Sequence, residues 1–173
     1  IKECDWSSDV CSSDLIRARH AARMLGDPRA VIDLGCGLMT LEEYLPAGTA
    51  YIPVDVVRRD ERTIVIDLNR QPLPDLHAPA IVGLGLLEYI FDVPALLARI
   101  ARLHRTVILS YNGLAELPDM AIRTGHAWVT HFTTDELEAM FAAAGLTVQA
   151  RERLDGTQTI WRLSSPEFSS SED

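Results

Sequence analysis

Apolar residues fall in two rhythms along this chain of 173 residues. Short apolar runs occupy Ala30 to Leu34, Ala50 to Val54, Thr63 to Ile66, Ala80 to Leu84 and Thr106 to Leu109. Such runs, apolar on both faces, predict strands buried inside a parallel sheet. Longer segments between them have helical spacing. Ile16 to Leu25 reads as a helix ended near Gly26-Asp27-Pro28, and Thr40 to Leu45 as one stopped by Pro46 and Gly48. Val93 to Leu103 is amphipathic, with Pro94 in its first turn. Thr134 to Ala144 has Thr133 or Thr134 as its cap, Glu136 nearby and Gly145 after its end. Pro72, Pro74 and Pro79 mark a loop. Leu146 to Arg153 and Thr157 to Leu163 predict a hairpin around Asp155-Gly156. Strands alternating with helices predict one α/β domain on a mostly parallel sheet, to which the hairpin adds an antiparallel strand. No internal repeat and no second domain is visible.

The stretch Asp33-Leu34-Gly35-Cys36-Gly37 joins the first strand to the helix-like segment Leu38 to Leu45. Glycines let a ligand approach the backbone, and a helix N-terminus beyond them offers free N–H groups. Asp33 precedes the first glycine, and a carboxylate facing the ligand suits a cation better than a pyrophosphate. The arrangement resembles the first motif of the class I S-adenosylmethionine-dependent methyltransferases, whose cofactor carries an ammonium and a sulfonium. The resemblance covers most of Ala30 to Leu163 and is most specific from Val31 to Asp55. It implies a Rossmann-like class I methyltransferase fold with a seven-stranded sheet, and S-adenosylmethionine as cofactor. A third glycine, frequent in the family, is replaced here by Met39.

By the same resemblance, Asp33, Gly35 and Gly37 hold the methionine end of the cofactor. Asp55 ends the second strand, where an acid accepts from both ribose hydroxyls. Asp67, after the third strand, accepts from the adenine amino group. Gly83 to Ile90 resembles the family's fourth motif, which lines the cofactor near its sulfonium; Gly85 permits close approach there, and Glu88 and Tyr89 are candidates to face cofactor or substrate. Beside the transfer site, Ser110-Tyr111-Asn112 ends the fifth strand, and its Tyr111 offers a phenol for aligning an acceptor. His126, Trp128 and His131 fall in the loop before the last long helix, and His131 is a candidate general base. Arg58 and Arg59 follow Asp55 and read either as an anion contact or as a solvated turn.

Composition narrows these readings. The formal charge is −9, but Lys2 with Glu3, Asp5, Asp9 and Asp14 accounts for three of the negative charges, and Glu167, Glu172 and Asp173 for three more. The remainder is mildly acidic and carries no basic run, so neither nucleic acid nor an anionic membrane is an expected partner. No apolar stretch reaches the ~18 residues of a membrane span, and the expected compartment is the cytoplasm. Lys2 is the only lysine, and between Ile16 and Leu163 the only serine is Ser110, whereas Ser7, Ser8, Ser12 and Ser13 crowd the start. Glu3 to Leu15 resembles the translation of a sequencing-library adapter. Residues 1–15 are therefore expected to form a disordered, non-native leader, residues 16–163 the domain and residues 164–173 a disordered tail. The native N-terminus is expected to be missing. Without Cys4 and Cys11, the lone Cys36 supports no disulfide or zinc framework, and no metal site is expected.

The resulting expectation is methyl transfer to an oxygen or nitrogen, with small size and near-neutral charge pointing to a small-molecule acceptor. Two alternatives stay open. A nicotinamide-dependent oxidoreductase also uses a strand, glycines, a helix and a distant acid, although its Gly-x-Gly-x-x-Gly fingerprint would need glycine at Thr40. A non-catalytic module that binds S-adenosylmethionine is the other.

Overall fold

The structure, a computed structural model, describes residues 12–154 and 156–166. Most of the expected leader, Asp155 in the hairpin turn and residues 167–173 of the expected tail lie outside the described residues. The strands are β1 (Ala30–Leu34), β2 (Ala50–Asp55), β3 (Ile64–Val65), β4 (Ala80–Leu84), β5 (Thr106–Asn112), β6 (Thr147–Arg153) and β7 (Gln158–Ser164). They form one seven-stranded sheet in the order β3-β2-β1-β4-β5-β7-β6. The first five are parallel, and β7 runs antiparallel between β5 and β6. The helices are α1 (Ser12–Leu25), α2 (Val93–Leu103), α3 (Met120–Gly125) and α4 (Thr134–Ala143).

Strand alternation divides the core between the two faces of the sheet. Ile32, Leu34, Ile81, Val107, Leu109, Trp161 and Leu163 pack toward α2 and α4. Val31, Ala80, Val82, Ile108 and Ile160 pack toward α1. On α2, Val93, Leu96, Leu97 and Ile100 recur at helical spacing and are buried. Asp92 caps that helix by accepting from Ala95 N at 3.0 Å. Thr133 caps α4 in a reciprocal box: its hydroxyl accepts from Glu136 N at 3.2 Å while Thr133 N donates to Glu136 Oε2 at 2.8 Å. Phe141 of α4 meets the edge of the Trp161 ring at 5.5 Å. The opposite face carries α1, lying across β4, β5 and β7 and against the turn at Thr40–Tyr44. Its contact stripe is Ala18, Ala21, Ala22 and Leu25. Three alanines on one stripe bring the helix backbone close to the sheet.

Several boundaries differ from the sequence expectation. α1 begins at Ser12, so the last four residues of the expected leader form its first turn. β5 runs on to Asn112 because β7 pairs with it along its whole length. β7 includes Ser164, and Ser165 donates through its hydroxyl to His104 O at 2.7 Å, so the chain stays attached beyond the expected end of the domain. Pro53 is accommodated inside β2 because β3 pairs only with Val54 and Asp55, leaving Pro53 a strand neighbour on one side.

Leu97 is fully buried between α2 and the sheet. Leu97→Ala should lower the unfolding free energy by about 2–5 kcal/mol, read from urea unfolding monitored by circular dichroism.

Candidate functional site

The glycine turn leaves β1 at the point where β2 lies on one side and β4 on the other. In open α/β sheets such a switch point opens a crevice at the carboxyl ends of the strands. Gly35 and Gly37 have φ of +66° and +52°, which glycine adopts without strain. Met39, where the family often has its third glycine, has φ of +58°. The backbone there has kept the glycine-like conformation although the residue has a side chain.

Four N–H groups of this turn are engaged within the protein. Gly35 N and Cys36 N both donate to Val54 O, at 2.8 and 3.1 Å. Gly37 N donates to Asp55 Oδ2 at 2.9 Å, and Met39 N to Cys36 O at 2.7 Å. The helix expected after the turn is a 3-10 turn, Thr40–Tyr44. The left-handed Met39 and the nearby Pro46 leave too little chain for an α-helix.

Asp33 is 4% exposed, and Tyr51 donates its phenol to Oδ2 at 2.6 Å. Burial of the carboxyl raises its pKa to about 7, against the opposing hydrogen bond from Tyr51, and Asp55 adds a smaller push upward. Asp55 is 7% exposed and bridges two loops. Besides Gly37 N, it accepts from Val57 N at 2.9 Å, and Arg59 Nη2 lies 3.6 Å from Oδ1. Each carboxylate oxygen keeps capacity for a further donor. Cys36 is buried against both acids, and burial pushes its thiol up to about 12.

Across the crevice stand the ends of β4 and β5. Gly85 has φ of +64° and donates its N–H to Ser110 Oγ at 2.9 Å. The Leu86 side chain lies over the first glycine: a Cβ at Gly35 would stand 3.1 Å from Leu86 Cδ1. Glu88 is fully buried; its Oε1 accepts from Asn112 N at 2.9 Å and Asn112 Nδ2 at 3.0 Å. Its Oε2 is buried without a partner among the described residues, and burial raises its pKa. Asp33, Tyr51, Asp55, Ser110 and Asn112 share the α1 face by strand alternation.

Asp67 lies two residues past β3, accepts from Asn69 N at 3.0 Å and pairs with Arg70 Nε at 3.2 Å. Asn69 reaches to the segment after β4, donating to Tyr89 O at 2.8 Å and accepting from Phe91 N at 2.9 Å. Tyr111 is fully buried on the face opposite Ser110 and Asn112. Both Tyr111 and His131 are turned onto Arg123, which donates to Tyr111 Oη at 3.2 Å and to His131 Nδ1 at 3.0 Å. Arg123 also donates to the carbonyls of Asn112 at 2.9 Å and Thr130 at 3.2 Å. Its guanidinium carbon lies 5.0 Å from the Trp128 ring centre. His126 stacks on the other indole contact, 5.1 Å from Trp128. Tyr51, Arg123 and Arg17 of α1, whose guanidinium lies over Gly85, were not picked out in the sequence. Tyr51 is detectable as a strand residue two positions from the register partner of Asp33; nothing in the sequence marks the two arginines.

The order of strands and their connections define the Rossmann-like class I methyltransferase fold. The chain matches no protein-family profile and no curated protein sequence. Among solved structures, it is similar to the N-methyltransferase NodS from Bradyrhizobium japonicum WM9 in complex with S-adenosylhomocysteine, with a TM-score of 0.71 and 13% identity over 96% of this chain and 94% of that one. It is also similar to CalO1, a methyltransferase in calicheamicin biosynthesis in its S-adenosylhomocysteine-bound form, with a TM-score of 0.62 and 25% identity over 88% of this chain and 53% of that one. Human N-acetylserotonin methyltransferase in complex with S-adenosylmethionine gives a TM-score of 0.64 and 12% identity over 90% of this chain and 52% of that one. The chain thus spans about half the length of the last two. Among the described residues, no helix is long and apolar enough to cross a membrane.

Two outcomes are expected. Replacing a residue by glycine inside a helix costs about 1 kcal/mol, but Met39→Gly should leave the urea midpoint unchanged or higher, because left-handed backbone strain is relieved. Asp33 ionises in the unfolded chain near pH 4 but in the folded protein only near 7. The folded state therefore binds the extra proton between those values, and stability is full below pH 4, falls as pH rises to 7 and stays lower above. Asp33→Asn should raise the stability at pH 8 by on the order of a few kcal/mol, read as a higher melting temperature, and change it little at pH 4.

Proposed function

We propose that this chain binds S-adenosylmethionine and transfers its methyl group to an oxygen or nitrogen of a small-molecule acceptor. The observation that carries this reading is the pairing of a buried carboxyl, Asp33, with a glycine turn in which the N–H groups of Gly35, Cys36, Gly37 and Met39 are already engaged. A dinucleotide pyrophosphate needs free N–H donors at that turn. A cationic ligand needs a carboxylate instead, and the approach of an ammonium would restore Asp33 to its charged form.

In this reading Asp33, Gly35 and Gly37 hold the methionine end, Asp55 the ribose, Asp67 the adenine, and Gly85 and Glu88 border the sulfonium. The fit rests on three features: glycines at the close approaches, the lone-pair capacity left on Asp55, and the unpartnered Glu88 Oε2. The sulfonium supplies the chemical reactivity when the cofactor is bound. The protein's own residues supply alignment and a water-excluding wall. Tyr111 and His131 serve as supports of that wall through Arg123, and neither is assigned a catalytic role. The solved neighbours whose names include calicheamicin biosynthesis and N-acetylserotonin support a small-molecule acceptor.

Isothermal titration calorimetry of the full chain should show binding of S-adenosylhomocysteine and none of NADH. The reverse pattern would sink the reading and favour an oxidoreductase. Binding of S-adenosylmethionine with no methylated product across a broad panel of amines, phenols and carboxylates would reduce the chain to a binding module.

A further inference from the structure

Alternation along the β6–β7 hairpin sorts its side chains between the two faces of the sheet. Arg151 and Arg153 of β6 stand opposite Trp161 and Thr159 of β7, and all four share the α4 face. Glu152, between the two arginines, faces α1, where it pairs with His20 at 2.8 Å and with Arg23. On α4, Thr134, Asp135 and Glu138 recur at helical spacing on one stripe. Glu138 joins that stripe to the hairpin: its Oε1 accepts from Arg151 Nη1 at 3.0 Å and from Trp161 Nε1 at 2.8 Å. Nearer the start of α4, helix and hairpin part around a cavity of about 250 Å³, lined by Glu116, Thr134, Asp135, Arg151, Arg153 and Thr159.

Opposite charges face this cavity without meeting. Among the described residues Arg153 forms no ion pair, and its guanidinium makes only long contacts, at 3.4 Å, to Gly156 O. Neither Glu116 nor Asp135 reaches an arginine within ion-pair distance among the described residues, although two arginines line the same cavity. Glu116 Oε2 and Thr134 Oγ1 are buried without a hydrogen-bond partner. Both crowd Gly113: a Cβ there would collide with the Glu116 carboxylate and stand 3.2 Å from Thr134 Oγ1. Two oxygens with unused lone pairs make one wall short of donors, and an unpaired guanidinium makes the facing wall short of acceptors. A ligand that carries both signs bridges such a gap.

We infer that this cavity binds a small zwitterion of the α-amino acid class. Its ammonium lies toward Glu116, Asp135 and the Thr134 hydroxyl, and its carboxylate toward Arg153 and the Thr159 hydroxyl. Ligand pockets span about 300–1,000 Å³, so a cavity just under that range suits an amino acid with a short side chain. The planar fork of Arg153 matches a carboxylate in a two-bond grip. This is a second site, separate from the glycine-turn crevice. It lies on the face to which Tyr111 and its register partner Thr159 belong, whereas Ser110 and Asn112 belong to the face of the crevice. The inference does not rest on the function proposed above.

Amide NMR titration of the isotopically labelled full chain tests this with L-alanine and its two halves, propionate, which lacks the ammonium, and ethylammonium, which lacks the carboxylate. L-alanine should give saturable shifts at Gly113, Thr134, Asp135 and Thr159. It should bind about tenfold or more tightly than either half, the value of one charge-assisted hydrogen-bonded pair. Arg153→Gln should weaken L-alanine and propionate by a similar factor and leave ethylammonium unchanged. Glu116→Gln, and to a smaller extent Asp135→Asn, should weaken L-alanine and ethylammonium and leave propionate unchanged. Gly113→Ala, which displaces the Glu116 carboxylate, should repeat the Glu116→Gln pattern. Shifts that do not saturate, that sodium chloride of equal ionic strength reproduces, or that fall outside the cavity would overturn the assignment. Halves that bind as tightly as L-alanine, or a charge variant that weakens both halves alike, would also overturn it. Saturating S-adenosylhomocysteine should leave the L-alanine affinity unchanged; competition between the two would move the amino acid to the crevice and end the second site. A chain that binds L-alanine in this pattern but no S-adenosylhomocysteine keeps this site and loses the proposed function.

Discussion

The attachment of the glycine turn to the end of β2 is the constraint around which the rest of the site is arranged. Gly35 and Cys36 donate to one carbonyl, Val54, and Gly37 to the Asp55 side chain that follows it. These bonds bend the chain back over β2, force three left-handed residues into five positions and direct Asp33 inward. With its carboxyl out of water, Asp33 needs a donor, and Tyr51 on the neighbouring strand supplies it. The turn then has no helix to feed, only a 3-10 turn. A crevice built this way has carboxylate acceptors at its edge while the N–H groups of both glycines are occupied. That polarity separates it from the phosphate-cradling turns that share its glycine spacing.

The opposite wall follows a similar logic. Ser110 accepts from the N–H of Gly85, and Asn112 directs both its backbone and side-chain donors to one oxygen of Glu88. The loop between β5 and α4 settles on this wall: Val129 N donates to Glu88 O at 2.7 Å and Thr130 Oγ1 to Leu87 O at 2.8 Å. Two cavities flank the β6–β7 hairpin, one lined by Ile16, Arg19, His20, Arg153 and Leu154, the other by residues that include Glu116, Thr134 and Arg151. At the crevice itself, Leu86 lies over Gly35 and Arg17 over Gly85.

Much of the fold could be read from the sequence because the strands are apolar on both faces and are separated by Gly and Pro. β1, β4 and α2 agree with their expected bounds, since each has a hydrophobic pattern that suits one structure. The 3-10 turn misled because Thr40 to Leu45 has helix-forming residues, whereas the left-handed entry at Met39 is a property of the backbone that composition does not reveal. α3 is six residues long, too short for periodicity to mark. Asp33 and Asp55 can be placed from the sequence because they lie at strand ends; their hydrogen-bond partners are less legible. Tyr51 reaches Asp33 only through the β1–β2 register, and Arg17 reaches Gly85 only through the packing of α1 on the sheet. Contacts between distant segments leave little trace in a local pattern.

Arg123 shows what one such contact does. A positive charge with 0% exposure sits among backbone carbonyls, a phenol, an imidazole and an indole, and its acceptors lie in β5, in the loop before α3 and in the loop before α4. Lysine has the charge but not the planar fork, and could satisfy only some of these groups at once. The residue works as a non-covalent crosslink, doing for the crossover from Gly113 to Thr133 what a disulfide or structural metal does elsewhere. Variation in this crossover is therefore constrained in an uneven way: exposed positions such as Met120 and Val129 are free to change the outer surface of the wall, while one guanidinium ties together the loop's two ends and its middle.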